Sequence, residues 1–289
     1  MQKIKILAVT PGAIDAVPED SFAFEAVHPC GPWADPSTAP TVSGQILSGT
    51  YVEVIDTLKG LREKPEAFIF AFTRGQGMER FLAEVSALFP SVPSAGGAAF
   101  RPAADARGAV RPMAEEVAVL ALGGKKWRVD SLLFHRIDEV ALTVSGDDPR
   151  IFDTVESNGK TESAHAFFAE QFIRLQLKGT PWNRCGLLTA EGRLLHMAES
   201  GDAVQVSADL PASRQVHLAF FDEDYGRQQL EQSLRPESLV FGCAGLHGLI
   251  SAPRTWESKH STAYMYGEVV TLAQSAHFAN LSVSVLSPR

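Results

Sequence analysis

The chain is 289 residues long, more than the roughly 100 to 200 residues of a usual single-core domain, so two domains or one double-sized unit are expected. Hydrophobic residues make up 45% and charged residues 21%, a globular balance that excludes disordered and fibrous chains. The net charge is -8 and no cluster of five or more basic residues occurs, so the surplus of Lys and Arg that displaces counterions from nucleic acid is missing.

The opening "MQKIKILAVTPG" reads as a first strand, because Lys5 interrupts its apolar stretch and Pro11 closes it too early for a secretory signal. No apolar run approaches the ~18 to 20 residues of a membrane helix, so no membrane partner is expected. Cys30, Cys185 and Cys243 lie far apart without CxxC spacing, which argues against a disulfide framework or a zinc site and for a reducing, cytoplasmic home.

Strand-type "IKILAV" (4–9) and "FAFEAV" (22–27) come first, and then Leu47, Tyr51, Val54, Ile55, Leu58 and Leu61 recur at the spacing of one buried helix face. "AFIFAF" (67–72) is a continuous apolar run, the mark of a strand covered on both sides. Phe81, Leu82, Val85, Leu88 and Phe89 repeat the helical spacing until Pro90. Residues 90–112, rich in Pro, Gly and Ala, predict a long functional or mobile loop. "EVAVLAL" (116–122) and "EVALTV" (139–144) resume strand character, and the turn "SGDDPR" (145–150) is the best candidate boundary.

In the second half, Ala164, Phe167, Phe168, Phe172 and Leu175 share one helix face. The short runs "CGLLTA", "RLLHMA", "AVQVSA", "VHLAFF", "SLVFGC" and "LSVSVL", separated by turns, predict an antiparallel sheet. "LSVSVL" alternates strictly, so one of its faces is solvated or meets polar groups. The expected fold class is therefore α+β, in two domains at 1–148 and 149–289, with mixed or antiparallel sheets covered by helices.

Several stretches are chemically suggestive, and each has a plain alternative. "FTRGQGMERFL" (72–82) sets a Gly-x-Gly turn between strand and helix, an anion cradle or simply a tight turn, since the third glycine of a dinucleotide fingerprint is absent. His28 and Cys30, or His247, His260 and His277 with Glu268, supply metal-ligand types without metal-ligand spacing, so turn and hydrogen-bonding roles lead, and no metal or cofactor is expected. Cys243 is either a nucleophile with His247 as base, which would make the chain a hydrolase or transferase, or a small hydrophobe at a strand end. Nothing nearby in the sequence supplies unambiguously the third group that would orient that histidine.

"SLVFGCAGLHGLI" (238–250) resembles the strand and turn of the FIST C-terminal domain, "AYMYGEVVTL" (263–272) resembles its Gly-Phe-x-x-Tyr-Gly-Glu-Ile element, and "HFANLSVSVL" is similar to its closing strand. "EAFIFAF" followed by "SVPSAGGAAF" resembles the FIST N-terminal domain. The resemblance implies a sensory protein that binds a small molecule such as an amino acid and acts alone or through a signalling protein partner.

For such a ligand, Gly96, Gly97, Gly242, Gly245 and Gly267 offer accessible main chain, Cys243 and Tyr266 (or Tyr264) a wall, and Arg74, Arg101 and Glu268 charge. Glu268 has three readings: a solvated strand residue, the acceptor of a ligand ammonium, or the partner of an arginine such as Arg101. A scaffold recognised only by a partner chain is the non-catalytic alternative.

Overall fold

The computed structural model describes residues 2–13, 21–35, 37–73, 77–99, 116–272 and 274–289. It is a sheet-rich mixture of α and β structure that falls into two compact units, one made of Met1–Leu133 with Gln228–Arg289, the other of Phe134–Arg227. The expected break at 145–150 lies inside the second unit. The reason is backbone pairing: His135–Ser145, which precedes that turn, is bonded to Gln215–Phe221 on one side and to Thr154–Ser157 on the other.

The first unit contains two sheets. The larger runs in the order Ser21–Glu25, Gln2–Val9, Thr41–Thr50, Glu116–Gly123, Ala67–Thr73, Ser94–Ala99, Glu268–Leu272, Ser275–Ala279. The smaller runs His28–Cys30, Ser261–Met265, Leu239–Cys243, Ser282–Pro288, Trp127–Leu133. Strand Ala67–Thr73 is covered on both faces, as its apolar run predicts. Ala67, Ile69 and Ala71 join a core with Ile4, Phe24, Trp33, Phe241, Met265 and Leu286, so this core is shared by both sheets. Phe68, Phe70 and Phe72 face the other way, onto Val54, Ile55 and Leu58 of helix Tyr51–Lys59 and Phe81, Leu82 and Val85 of helix Met78–Leu88. An apolar residue at every position of that strand is thus used, alternate side chains going to opposite layers.

Helix Tyr51–Lys59 starts later than the periodicity from Leu47 implies. Thr50 accepts a hydrogen bond from the Glu53 N–H and the Glu53 side chain reaches back to the Thr50 N–H, a capping box that sets the start. Leu47 lies on strand Thr41–Thr50 and reaches the same core as the helix, which is why it mimics helical spacing.

"LSVSVL" has no solvated face. Ser282 and Ser284 are both buried, and their hydroxyls meet polar groups: Ser282 the Glu268 carboxyl, Ser284 the Val269 carbonyl at 2.6 Å. The alternation therefore marks a strand with a buried polar seam, satisfied as burial demands.

The second unit is one antiparallel sheet in the order Ile151–Phe152, Ala203–Val206, Leu194–Ser200, Cys185–Leu188, Gln215–Phe221, His135–Ser145, Thr154–Ser157, Lys160–Ser163. Phe167 and Phe168 of helix Ala164–Arg174 pack with Leu142, Val144, Leu187, Leu195 and Leu218 to form its core. Four of the six predicted short strands belong here, while "SLVFGC" and "LSVSVL" return to the first unit. Among the described residues no helix is long and apolar enough to cross a membrane.

Candidate functional site

Strands Leu239–Cys243 and Ser261–Met265 run parallel and end in register at Cys243 and Met265. The residues that follow, Ala244–Gly245 and Tyr266–Gly267, therefore leave the smaller sheet side by side. Past Cys243 the chain turns into the short helix Ala244–Leu249, and past Met265 it crosses to the larger sheet, where Glu268 pairs with Gly97. "AYMYGEVV" is thus two strands of different sheets, not one. Gly267 makes the crossing at φ +96, a conformation costly for any residue with a Cβ.

The backbone there is packed as closely as glycine permits. A side chain at Gly97 would run into the Gly267 carbonyl, and one at Gly96 into that of Phe70. The Tyr266 N–H donates to Ala98 O at 3.0 Å and the Ala98 N–H to Gly267 O at 3.2 Å. A Cβ at Gly242 would sit 2.9 Å from the Tyr264 ring, and one at Gly245 would sit 3.5 Å from the Cys243 sulfur.

Glu268 is 0% exposed, which removes the solvated reading. Its Oε1 accepts the Ser282 N–H at 2.7 Å and the Ser282 hydroxyl, while Oε2 has no hydrogen-bond partner. Burial pushes the carboxyl up, to about 8, against the pull of the Ser282 hydrogen bonds, and so favours the protonated acid. Arg101, its candidate partner, and Arg74 lie outside the described residues.

Cys243 is 5% exposed, with its sulfur 4.0 Å from Asn280 Oδ1. Burial first and the Glu268 carboxyl second push the thiol up, and the N–H groups of Leu281, Leu246 and Gly245 only partly offset them. A thiol in that condition is protonated and unactivated.

His247 keeps other company. Its ring stacks on His28 with centroids 4.2 Å apart, meets Tyr264 edge-on at 4.6 Å, and brings Nε2 to 3.9 Å from Glu257. Glu257 in turn accepts the Tyr264 hydroxyl at 2.8 Å and pairs with Arg254 at 2.8 Å. Burial, then the neighbouring Arg254 and His28, hold the imidazole below its ordinary range. The structure gives Cys243 and His247 different partners.

Among the described residues no group of three or more His, Cys, Asp or Glu side chains could hold a metal ion. An open groove of about 990 Å³, lined by Lys125, Arg128, Asp130, Arg235 and Glu237 among others, shares no residue with this site. Two of its cations are already matched, Lys125 by Glu237 and Arg128 by Asp130.

Of the expected site residues, Gly97, Cys243, Tyr266, Gly267 and Glu268 lie at the crossing, and Gly96, Gly242 and Gly245 are their near neighbours along the chain. Sequence reasoning passes over Ser282, Asn280 and Glu257, although the alternation in "LSVSVL" signals a polar partner for Ser282. No protein-family model matches the chain, and no curated protein matches it by sequence.

Proposed function

We propose that the protein binds a small amine-bearing metabolite, of amino-acid type, at the crossing between the two sheets of its first unit. The observation that carries this reading is the Glu268 carboxyl, fully buried, with one oxygen held by Ser282 and the other without a partner. A buried polar atom left unpaired costs on the order of 1 to 3 kcal/mol, and a ligand ammonium is the group that recovers it best. Gly245, which is exposed, and Tyr266, 39% exposed, mark the side from which a ligand would approach. In the sensory role that the FIST resemblance implies, occupancy would be passed to a cytoplasmic signalling partner.

An ammonium beside Glu268 favours the carboxylate, so binding at pH 7 releases about one proton per site. Calorimetry against a panel of amino acids and small amines, run in two buffers of different ionisation enthalpy, reads both affinity and that proton. Glu268→Gln should weaken binding about tenfold to a hundredfold. Cys243→Ala should leave affinity within a few fold, because the protonated thiol supplies no charge. No heat from any amine, or equal affinity in Glu268→Gln, would overturn the proposal. A hydrolase or transferase turnover present in the wild type and lost in Cys243→Ala would establish the enzyme alternative instead.

A further inference from the structure

The second unit holds a buried histidine that the crossing site does not use. His135 is 2% exposed, and neither of its ring nitrogens has a hydrogen-bond partner. Its cross-strand partner is Phe221, whose ring it meets edge-on with centroids 5.8 Å apart. Over that same Phe221 ring lies the Arg184 guanidinium, its Cζ 4.8 Å from the centroid, and Arg184 Nε is also buried without a partner. The His196 ring lies 6.4 Å from His135.

The charged and titratable groups acting on His135 are His196 and Arg184, both basic. Arg136, next along the strand, is 3.6 Å from Asp222, so that carboxylate already has a cation. Three nitrogens without a hydrogen-bond partner, on two side chains that both meet the Phe221 ring, form an incomplete arrangement, because buried nitrogen groups are ordinarily bonded. The Arg184 Nε–H and the one N–H of the neutral His135 ring are donors, so the group that would complete them accepts hydrogen bonds, and beside a guanidinium an anion does so best.

We propose that His135 and Arg184 form a binding site for a small oxyanion, a phosphate or carboxylate group, in the second unit. Arg184 Nε donates to one oxygen and the His135 ring N–H to another, with the Phe221 face as the apolar floor under the guanidinium. Without the anion, burial first and then His196 and Arg184 hold the His135 imidazole down at about 3. A bound anion reverses the sign of that field, so the imidazole takes up a proton on binding. The site tightens as pH falls, opposite to the proton release expected at Glu268.

The test is calorimetry of the full chain at pH 6 with inorganic phosphate and, separately, with acetate, against chloride at matched ionic strength and in two buffers of different ionisation enthalpy. Phosphate binding alone points to a phosphorylated ligand, acetate binding to a carboxylate, and either supports the site. Arg184→Gln should weaken binding at least tenfold. His135→Phe, which fills the same space without polar atoms, should weaken it similarly and abolish the proton uptake, with a circular dichroism spectrum like the wild type. No binding of either anion at millimolar concentration, or affinity unchanged in both variants, would overturn the site.

Discussion

Glu268 in the first unit and His135 in the second are both sealed from solvent, yet the fold treats them differently. The acid meets the N–H and hydroxyl of one serine and keeps a single oxygen unpaired, whereas the base has no partner for either nitrogen. Their titrations move in opposite directions from the same first cause, since burial disfavours the charged form of each: the carboxyl rises to about 8 and the imidazole falls to about 3. Burial alone therefore says little about what a polar residue does. The number of its bonds that remain open says more, and by that measure each unit buries a polar group with bonding capacity to spare.

The largest effect that can break this comparison is a divergence in pH dependence. Glu268 has its folded pKa above its ordinary value of 4.5, so the native state binds the extra proton and the stability it contributes is lost as pH rises from 4.5 to about 8. His135 has its folded pKa below its ordinary 6.5, so its contribution is intact above 6.5 and is lost as pH falls toward about 3. Each is worth about 5 kcal/mol across its window. Urea melts in buffers without oxyanions should show Glu268→Gln gaining on the wild type from pH 4.5 to 8, and His135→Phe gaining on it as pH drops below 6.5. Parallel curves for wild type and variant would mean that the group is solvated in solution.

Next in size is the close backbone packing at the crossing. Gly97→Ala sets a methyl group against the Gly267 carbonyl, which cannot move without disturbing the ladder, and should cost about 3 kcal/mol in a denaturant melt. A loss below about 1 kcal/mol would show that the two sheets are held less tightly there.

Smaller still is the effect of Ser282→Ala, which removes one of the two bonds to Glu268 Oε1. It should cost about 1 to 2 kcal/mol and shift the Glu268 window to still higher pH, making the acid resemble His135 more closely. An unchanged window would mean that the backbone N–H alone holds the carboxyl.

Individual elements were legible in the sequence. "AFIFAF" reads as a doubly covered strand because the apolar residues at every position have no other economical use, and Pro90 and the phenylalanine spacing mark the two helices at Met78–Leu88 and Ala164–Arg174. Six of the eight described site residues stand out in the sequence, because glycine and a charged residue in an apolar run are conspicuous against strand composition. Cys243 reads as a wall of the site, with a nucleophile paired to His247 as the alternative, and spacing along the chain does not record the partners that the fold gives each of them. His135 and Arg184 gave no signal at all: "FHRIDEVAL" has the polar content of an ordinary edge, and the missing partner shows only once the residues are packed.

What the chain's own order determined, then, was the set of strands and helices and which of their faces are apolar, since periodicity is local and set by side-chain direction. Which strands pair was decided only in three dimensions. Residues 228–289 rejoin the amino-terminal half, and "AYMYGEVV" splits between two sheets, because pairing depends on long-range register and shared cores that no local pattern records. The same long-range packing turns a glutamate that composition would place on the surface into a neutral acid, by closing two sheets over it and supplying one serine from a strand fourteen residues away.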